Sequence, residues 1–498
     1  MVPPDNASRS LVRGAALMLP ATILGSAAIL LVDVYANHAL TLADYGLYGT
    51  VRRFVQILGF VVLIGMENAV IRVVAGAPDK EAARAGVRTA LALTVAVAVA
   101  VGALIAAFAQ PLAAWIDPAP ETATAIRLAA LALPFWAIRT VAVAACQGWG
   151  TLTPRALVTF IVWPAVQLLG LAVGASWLGL GALGAVAGFV VAVALGAAQA
   201  LWHLRRLGRG PWGHVADQGE GALKPMFTVA WPGWVQGVGM ALYTWVDQTL
   251  VTVLAGIAAA GLYGPVATLA PIFGMGLGAL NSAFAPVIAR KHADGDHAGL
   301  ADLYRLVTRW ALVAAVPPVA LALAVPMCVL TPWHSATAET ATALRIAAAT
   351  QLLCTAVGSV NYLLLMSGRQ RDTLYNAVPA VLLNLAFSIA LIPKIGIAGA
   401  ALGNAAGMLT ANFVGLWQVW RHLRLHPFHT ALVRPLAAGL GVAAAGVAAQ
   451  WALGPGWAAL GVGAVGGGLA FLVIYRILGL DEGDRLVLDS FARKLGRR

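Results

Sequence analysis

The sequence has 498 residues, of which 60% are hydrophobic and only 10% are charged, with a mean hydropathy of +0.84. A soluble domain carries about 25% charged residues, so this composition excludes a water-soluble globular protein. The formal net charge of +12 would suit a nucleic-acid partner, but the placement of the basic residues favours another explanation.

Long, continuous apolar runs predict an all-α integral membrane protein. A helix needs about 20 apolar residues to span a bilayer, and only helices and closed barrels satisfy their backbones in lipid. Polar and apolar residues do not alternate in these runs, which favours helices over a barrel. About 14 transmembrane helices are predicted, at residues 14–36, 47–71, 89–109, 123–146, 156–177, 180–203, 226–250, 257–286, 307–330, 342–366, 374–392, 397–420, 435–452 and 457–478.

Lysine and arginine residues predict the orientation of these helices, because cytoplasmic loops hold an excess of them. With the N-terminus inside, all but five of the 32 basic residues fall on the cytoplasmic side; the exceptions are Arg52, Arg53, Arg127, Arg345 and Lys394. The sequence therefore predicts a multi-pass protein of the cell inner membrane with both termini cytoplasmic. The same distribution accounts for the positive charge without nucleic acid.

An internal repeat divides the chain. The residues GLYG at 46–49 recur at 261–264, and Val32-Asp33 recurs as Val246-Asp247, at offsets of 215 and 214. The repeat predicts two pseudo-symmetric six-helix lobes of the same topology. The predicted division is an N-terminal lobe, a cytoplasmic linker, a C-terminal lobe, an additional two-helix hairpin and a cytoplasmic tail, at residues 1–206, 207–225, 226–425, 426–480 and 481–498.

Three stretches carry a resemblance to a known family: Leu40 to Arg72, Val246 to Arg290, and Leu391 to Ala401, which Asn384 precedes. They resemble the polysaccharide (O-antigen type) flippases of the multidrug/oligosaccharidyl-lipid/polysaccharide flippase superfamily. The resemblance implies two lobes that rock around a central cavity. It also implies translocation of a polyprenyl-pyrophosphate-linked oligosaccharide from the inner to the outer leaflet, for lipopolysaccharide or exopolysaccharide export. Partners would be that substrate, membrane lipids, a glycan polymerase and export machinery.

Ionisable residues inside spans cost about 2.5–3.5 kcal/mol each to insert, so each needs a reason to be there. Guanidinium groups pair bidentately with phosphate, which makes the in-span arginines candidates for pyrophosphate binding. The alternative for Arg52 and Arg53 is snorkelling to the outer headgroups. The candidate cavity residues are Arg52, Arg53, Arg139, Glu67, Asn68 and Gln56.

Two pairs of repeat-related residues are further candidates. Asp33 and Asp247 lie near the outer ends of the first and seventh spans. They would bind a coupling cation, pair with Arg52 or Arg53 at an outer gate, or serve only as structural contacts. Pro20 and Pro232 are hinge candidates, because proline kinks helices.

The sequence contains no nucleotide-binding GxxxxGK[ST] loop and no zinc-ligand spacing such as HExxH, so we expect no enzyme activity, no cofactor and no metal. A multidrug antiporter of the same superfamily stays open, although the basic in-span charge is unfavourable for cationic drugs. A lipid II flippase also stays open. A membrane glycan polymerase or ligase is disfavoured by the short outer loops, the longest of about a dozen residues near 110–122 and 331–341.

Overall fold

The computed structural model describes residues 4–117, 119–207 and 223–479. Within these ranges every regular element is a helix and no β-strand occurs. Thirteen helices are long and apolar enough to cross a membrane, and a bent pair in residues 233–255 would be the fourteenth. The predicted all-α membrane fold with about 14 spans is confirmed. The tail 481–498 and most of the predicted linker lie outside the described residues.

The chain divides into two compact units. The first comprises residues 1–268 and 384–403. Its helices are α1 (Pro4–Ala39), α2 (Leu42–Leu63), α3 (Met66–Gly76), α4 (Lys80–Ala107), α5 (Ala109–Ile116), α6 (Pro120–Ala130), α7 (Ala132–Gly148), α8 (Thr153–Arg155), α9 (Trp163–Leu171), α10 (Gly181–Arg206), α11 (Leu223–Ala255) and the first part of α12 (Ile257–Phe273). Two π-helical stretches, Ala156–Val162 and Ala172–Trp177, continue α8 and α9 as one span.

The second unit comprises residues 269–383 and 404–498. Its helices are α13 (Met275–Ala293), α14 (His297–Ala324), α15 (Pro326–Val329), α16 (Ala338–Val357), α17 (Val360–Met366), α18 (Gln370–Ile395), α19 (Ile397–Leu423), α20 (Val433–Leu453) and α21 (Trp457–Ile477). Residues 384–395 of α18 and 397–403 of α19 belong to the first unit. The lobe boundaries predicted from the repeat stay a prediction.

The second predicted span is broken in the middle. Ile64 and Gly65 both have left-handed backbone conformations, with φ of 49° and 72°, and they separate α2 from α3. Glycine is required at 65, because a Cβ there would collide with the carbonyl oxygen of Ala230 as well as strain the backbone. The first turn of α3, which contains Glu67 and Asn68, follows directly after the break.

Two pairs of glycines also allow the fifth span and α10 to meet backbone to backbone. Gly170 and Gly174 of the fifth span face Gly188 and Gly184 of α10, and a Cβ on any of them would overlap the opposing backbone. Close approach through small residues four apart is how transmembrane helices gain packing without a hydrophobic driving force in lipid. This contact anchors α10, whose Gly196 lies beside the side chain of Arg139.

Candidate functional site

A cavity of about 490 Å³ lies within the first unit, lined from α2, α3, α7, α11 and the start of the fifth span. We call it the Arg139 cavity. Its polar lining consists of Glu67, Asn68, Arg139, Thr140, Gln147, Arg155 and Thr159. Its volume falls in the range of about 300–1,000 Å³ typical of ligand pockets. Two guanidinium groups and one carboxyl group therefore share one concave site.

Arg139 is held in place by two tryptophans. Its guanidinium lies 4.4 Å from the ring centroid of Trp136, one turn earlier in α7, and 4.7 Å from that of Trp163. The residue is only 6% exposed. Its Nη1 atom has no hydrogen-bond partner among the described residues. A buried, always charged donor group with an unused N–H is costly unless a ligand accepts from it.

Arg155 is a cavity residue that the sequence indicated only as a marker of topology. Its Nη1 atom donates to Oε1 of Gln147 at 3.0 Å, and both side chains line the Arg139 cavity. A basic residue just after Pro154, at the start of a span, is typical of a membrane boundary. Arg139 and Gln147 lie in α7 whereas Arg155 lies in α8, so no local pattern in the sequence indicates that the three share a site.

Glu67 and Asn68 follow the break between α2 and α3 and reach the same cavity. Glu67 is half-buried, and its Oε2 atom has no hydrogen-bond partner in the described ranges. It makes no salt bridge with an arginine of those ranges. With Glu67 ionised the lining has a formal charge of +1, and with Glu67 protonated it has +2. The site is cationic in either state.

Arg52 is not part of this cavity. Its Nη2 atom lies 3.1 Å from Oδ1 of Asp33, and these residues are 6% and 1% exposed. The hydroxyl of Tyr45 donates to the other carboxylate oxygen of Asp33 at 2.8 Å. The guanidinium of Arg52 also lies 5.3 Å from the ring centroid of Tyr48. Arg52 is therefore committed to a buried ion pair between α1 and α2.

Arg53 is directed to the second repeat. Its Nε atom donates to Oε1 of Gln248 at 3.3 Å, and its Nη2 atom donates to the carbonyl oxygen of Ala267 at 3.3 Å. The adjacent Asp247 accepts from the hydroxyl of Tyr263 at 2.6 Å and from the backbone N–H of Gln248 at 2.9 Å. Arg53 thus joins α2 to α11 and α12.

Two arginines and two aspartates, Arg52, Arg53, Asp33 and Asp247, form a buried group with a formal charge of zero, which we call the paired-charge cluster. Gln56, the remaining cavity candidate, is half-buried on α2 away from the Arg139 cavity, and its Oε1 atom has no partner within the described ranges. The structure therefore brings Arg139, Glu67 and Asn68 together and separates them from Arg52, Arg53 and Gln56.

The two GLYG elements cross each other beside the paired-charge cluster. A Cβ on Gly46 would overlap the carbonyl oxygen of Ile257, and a Cβ on Gly261 would overlap that of Leu42. Leu42 and Ile257 are themselves separated by 215 residues, as are Gly46 and Gly261. The contact is therefore reciprocal about a local two-fold axis. One turn further along α2, the hydroxyl of Thr50 lies 2.6 Å from that of Thr252 in α11.

The hinge candidates lie in the first helix of each repeat. Pro20 is exposed within α1, and Pro232 belongs to α11. The 44° bend that the structure contains in α11 lies between Gly233–Leu242 and Thr244–Ala255, about three turns beyond Pro232. The hinge role of both prolines stays a prediction.

The ion pair between Asp33 and Arg52 gives a test of the cluster. We expect Asp33→Asn to destabilise the folded protein by about 3–5 kcal/mol, because it leaves a buried guanidinium without its counter-charge. Adding Arg52→Gln should restore much of that loss. Thermal unfolding of the detergent-purified single and double variants measures both effects. A double variant less stable than Asp33→Asn would contradict the pairing as the dominant contribution of Arg52.

Within the part of the chain that the structure describes, 13 or 14 apolar helices could cross a membrane and one unit contains a cationic cavity, an arrangement typical of membrane transport proteins. Residues 11–292 match the family of polysaccharide biosynthesis proteins, which is more than half of the sequence, and the chain belongs to that family. The resemblance noted from the sequence is confirmed. Among curated proteins, none matches the chain.

Solved structures of transporters share the fold. A lipid II flippase MurJ in an inward closed conformation is 12% identical, with a TM-score of 0.74, over 94% of this chain and 98% of that one. An inward-facing multidrug resistance MATE family transporter of the MOP superfamily is 16% identical, with a TM-score of 0.65, over 82% and 98%. A MOP superfamily transporter from Pyrococcus furiosus is 16% identical, with a TM-score of 0.61, over 82% and 95%. Family and fold together support a membrane flippase.

Proposed function

We propose that the chain translocates a polyprenyl-pyrophosphate-linked oligosaccharide from the inner to the outer leaflet of the cytoplasmic membrane, for export of a polysaccharide such as lipopolysaccharide or exopolysaccharide. The observation that supports this most is the buried, incompletely hydrogen-bonded guanidinium of Arg139 in a cavity. A pyrophosphate cannot cross hydrocarbon with its hydration shell removed unless other donors replace the water. Arg139 and Arg155 would supply such donors to the two phosphates, while Asn68, Gln147, Thr140 and Thr159 would contact sugar hydroxyls.

The direction of transport follows from the charge of the cargo. A membrane potential that is negative inside favours outward movement of an anion by about 2.3 kcal/mol per charge per 100 mV. The empty carrier must then return, and protonation of Glu67 would change the charge of the Arg139 cavity during that step. Alternating access by rocking of two six-helix lobes, with Pro20 and Pro232 as hinges, is part of the same proposal. The paired-charge cluster would then act as an outer gate.

The charge of the cavity also separates the proposal from its alternatives. A multidrug transporter of cationic compounds is favoured by an acidic site, whereas two of the three ionisable residues lining the Arg139 cavity are arginines. A lipid II flippase would share the pyrophosphate chemistry, so charge does not discriminate between the two lipid-linked cargoes. The two must be compared directly.

The experiment is a flipping assay with the purified full chain in liposomes. A fluorescent polyprenyl-pyrophosphate oligosaccharide, fluorescent lipid II and a cationic dye are each supplied at the predicted cytoplasmic face. We expect transfer of the oligosaccharide to exceed that in protein-free vesicles, with a smaller effect on lipid II and none on the dye. Faster transfer of lipid II or of the dye than of the oligosaccharide would contradict the proposal.

In the cell, the proposal places both termini in the cytoplasm and a glycan polymerase and export machinery downstream of the chain. Cysteine labelling from outside the cell tests the orientation. A cysteine at Ser335, in the loop between α15 and α16, should react with a membrane-impermeant reagent, whereas one at Ala293 should not. The reverse pattern would invert the predicted topology and with it the direction of transport.

A further inference from the structure

A second concave site lies in the other unit, at the end of α19. It has a volume of about 320 Å³ and is lined by Phe413, Leu416, Trp417, Trp420, His426 and Phe428. We call it the α19 groove. The first four residues recur at the three- and four-residue spacing that puts them on one face of the helix. The groove is therefore an apolar, mainly aromatic surface at the end of a transmembrane helix.

The chain reverses at Arg424 to close the groove. Arg424 has a left-handed backbone conformation, with φ of 56°, and its N–H donates to the carbonyl oxygen of Trp420 at 3.0 Å. Glycine is the usual residue at this position after a helix. The turn brings His426 and Phe428 back towards the helical stripe. An arginine in place of glycine costs conformational energy, and its guanidinium lies over the ring of Trp420, which lines the groove.

The aromatic side chains of the groove are only partly covered. Trp417, Trp420 and Phe428 are 51%, 49% and 50% exposed. Tryptophans at a membrane interface commonly form an aromatic belt on the outside of a protein. Here they line a concavity, so a hydrocarbon chain lying in it would contact rings on several sides.

Two guanidinium groups border the aromatic surface. The Cζ atom of Arg421 lies 5.2 Å from the ring centroid of Trp417, and that of Arg424 lies 5.4 Å from the ring centroid of Trp420. Neither arginine has a hydrogen-bond acceptor or a carboxylate partner among the described residues. The nearby Asp372 is instead paired with His422 and Arg369, at 3.6 and 3.8 Å. Stacking leaves the N–H groups at the edge of each guanidinium available for an anion.

We propose that the α19 groove binds an anionic phospholipid of the surrounding leaflet, with its phosphate on Arg421 and Arg424 and one acyl chain among the aromatic residues. The argument is charge complementarity joined to an apolar concavity of suitable size. The C-terminal end of a helix carries a partial negative charge and alone would repel an anion. The positive charges of the two arginines outweigh this effect. The lysine and arginine distribution predicts this end of α19 to be cytoplasmic, where anionic lipids attract basic residues.

The test is lipid binding to the detergent-purified full chain, measured by native mass spectrometry during titration with phosphatidylglycerol or phosphatidylcholine. A basic residue at the membrane surface contributes about a five-fold gain in affinity for anionic lipid. We therefore expect the variant with Arg421→Gln and Arg424→Gln to bind phosphatidylglycerol about thirty-fold more weakly. Binding of phosphatidylcholine should be weak in both proteins.

A matched control distinguishes the groove from general attraction at the membrane surface. Arg206 stacks on Trp202 at the end of α10, at 4.2 Å, but belongs to the other unit and does not border the groove. Arg206→Gln should leave phosphatidylglycerol binding unchanged. Phe428→Ala should weaken binding of long-chain phosphatidylglycerol while leaving that of a short-chain analogue unaffected, because only the acyl contact is lost.

Three results would overturn the proposal. The first is an equal loss of binding in Arg206→Gln and in the double variant. The second is equal binding of phosphatidylcholine and phosphatidylglycerol by the unmodified chain. The third is displacement of bound phosphatidylglycerol by an equimolar polyprenyl phosphate, which would assign the groove to the prenyl carrier instead. Flipping of lipid-linked oligosaccharide is measured separately, so failure here leaves the proposed function untouched.

Discussion

Replacing Arg139 with alanine is expected to lower the flipping rate of lipid-linked oligosaccharide by about 100-fold or more. Removing one member of a buried, hydrogen-bonded charge pair costs about 2–5 kcal/mol, and here the second member would be the pyrophosphate of the cargo. Arg139 is buried and stacked on two indole rings, so its guanidinium is held in one position, whereas Arg155 is already bonded to Gln147. The measurement is the initial rate of fluorescent substrate transfer in liposomes, normalised to the amount of reconstituted protein.

Two further variants test whether the effect depends on the guanidinium of Arg139 itself. Arg139→Lys keeps the charge but loses the planar fork and its bidentate geometry, so an intermediate rate is expected. Arg127→Gln is the matched control, because Arg127 is an exposed arginine on the neighbouring α6 that does not line the cavity. A normal rate in Arg139→Ala, or an equal loss in Arg127→Gln, would remove the cationic cavity as the basis of transport.

The stacked tryptophans explain how a charge can be kept inside a membrane helix. An arginine at the centre of a span costs about 2.5–3.5 kcal/mol on insertion scales, and cation–π contacts with desolvated rings offset about 2 kcal/mol of such a cost. Trp136 fits beside Gly59 of α2, where any Cβ would meet the indole. The site therefore depends on Gly59 in α2, on Arg139 and Trp136 in α7, and on Trp163 in α9.

The spans were predictable from the sequence because each depends on local composition alone. Hydropathy identified the helices, and the regular alternation of basic segments supported their number. The break at Ile64 and Gly65 was not predicted, since both residues lie in a continuous apolar run and hydropathy averages over such a window. Glycine is required at 65 because the backbone passes close to the carbonyl oxygen of Ala230, which is 165 residues later in the chain.

The contacts of the buried charges could not be predicted from the sequence either, because they too join residues that are distant in the chain. Arg52 and Arg53 are adjacent, yet Arg52 contacts Asp33 in the preceding helix, whereas Arg53 contacts Gln248, 195 residues later. Neighbouring positions on a helix diverge by about 100°, so their environments differ entirely. The sequence indicated that they differ but not which partner each one takes. The sequence does not identify Arg155 as a cavity residue, because a basic residue at the end of a span usually marks the interface.

The two copies of the repeat contact each other in the structure, which the sequence alone does not indicate. The matching GLYG elements were evidence of duplication, and in the structure Gly46 and Gly261 occupy equivalent positions at a crossing of α2 and α12. The paired-charge cluster lies next to that crossing. In the first repeat Asp33 forms an ion pair with Arg52, whereas in the second repeat Asp247 accepts a hydrogen bond from Tyr263. The formal charge of the cluster is zero, and the gate or coupling-cation role of its two aspartates stays a prediction.

Substitution of Gly46 by valine is expected to prevent this crossing from forming. The added Cβ would overlap the carbonyl oxygen of Ile257, and backbone atoms cannot move aside by changing rotamer. Overpacking of this kind costs about 1–3 kcal/mol, and the branched side chain adds further overlap. We expect α2 and α12 to separate, lowering transport by more than about tenfold, because this closed contact would form in every cycle.

A disulfide between α2 and α11, next to the crossing, reports independently of transport on whether α2 keeps its position. The hydroxyls of Thr50 and Thr252 are 2.6 Å apart, so Thr50→Cys with Thr252→Cys should oxidise readily in the membrane. In a Gly46→Val background the same pair should cross-link several times more slowly, whereas Gly278→Val, where an added Cβ meets no atom within 4 Å, should leave the rate unchanged. Gly261→Val should reproduce the effect of Gly46→Val, because the contact is reciprocal. If both glycine variants cross-link and transport normally, the crossing does not act as a gate, and the close packing at the GLYG elements serves only the fold.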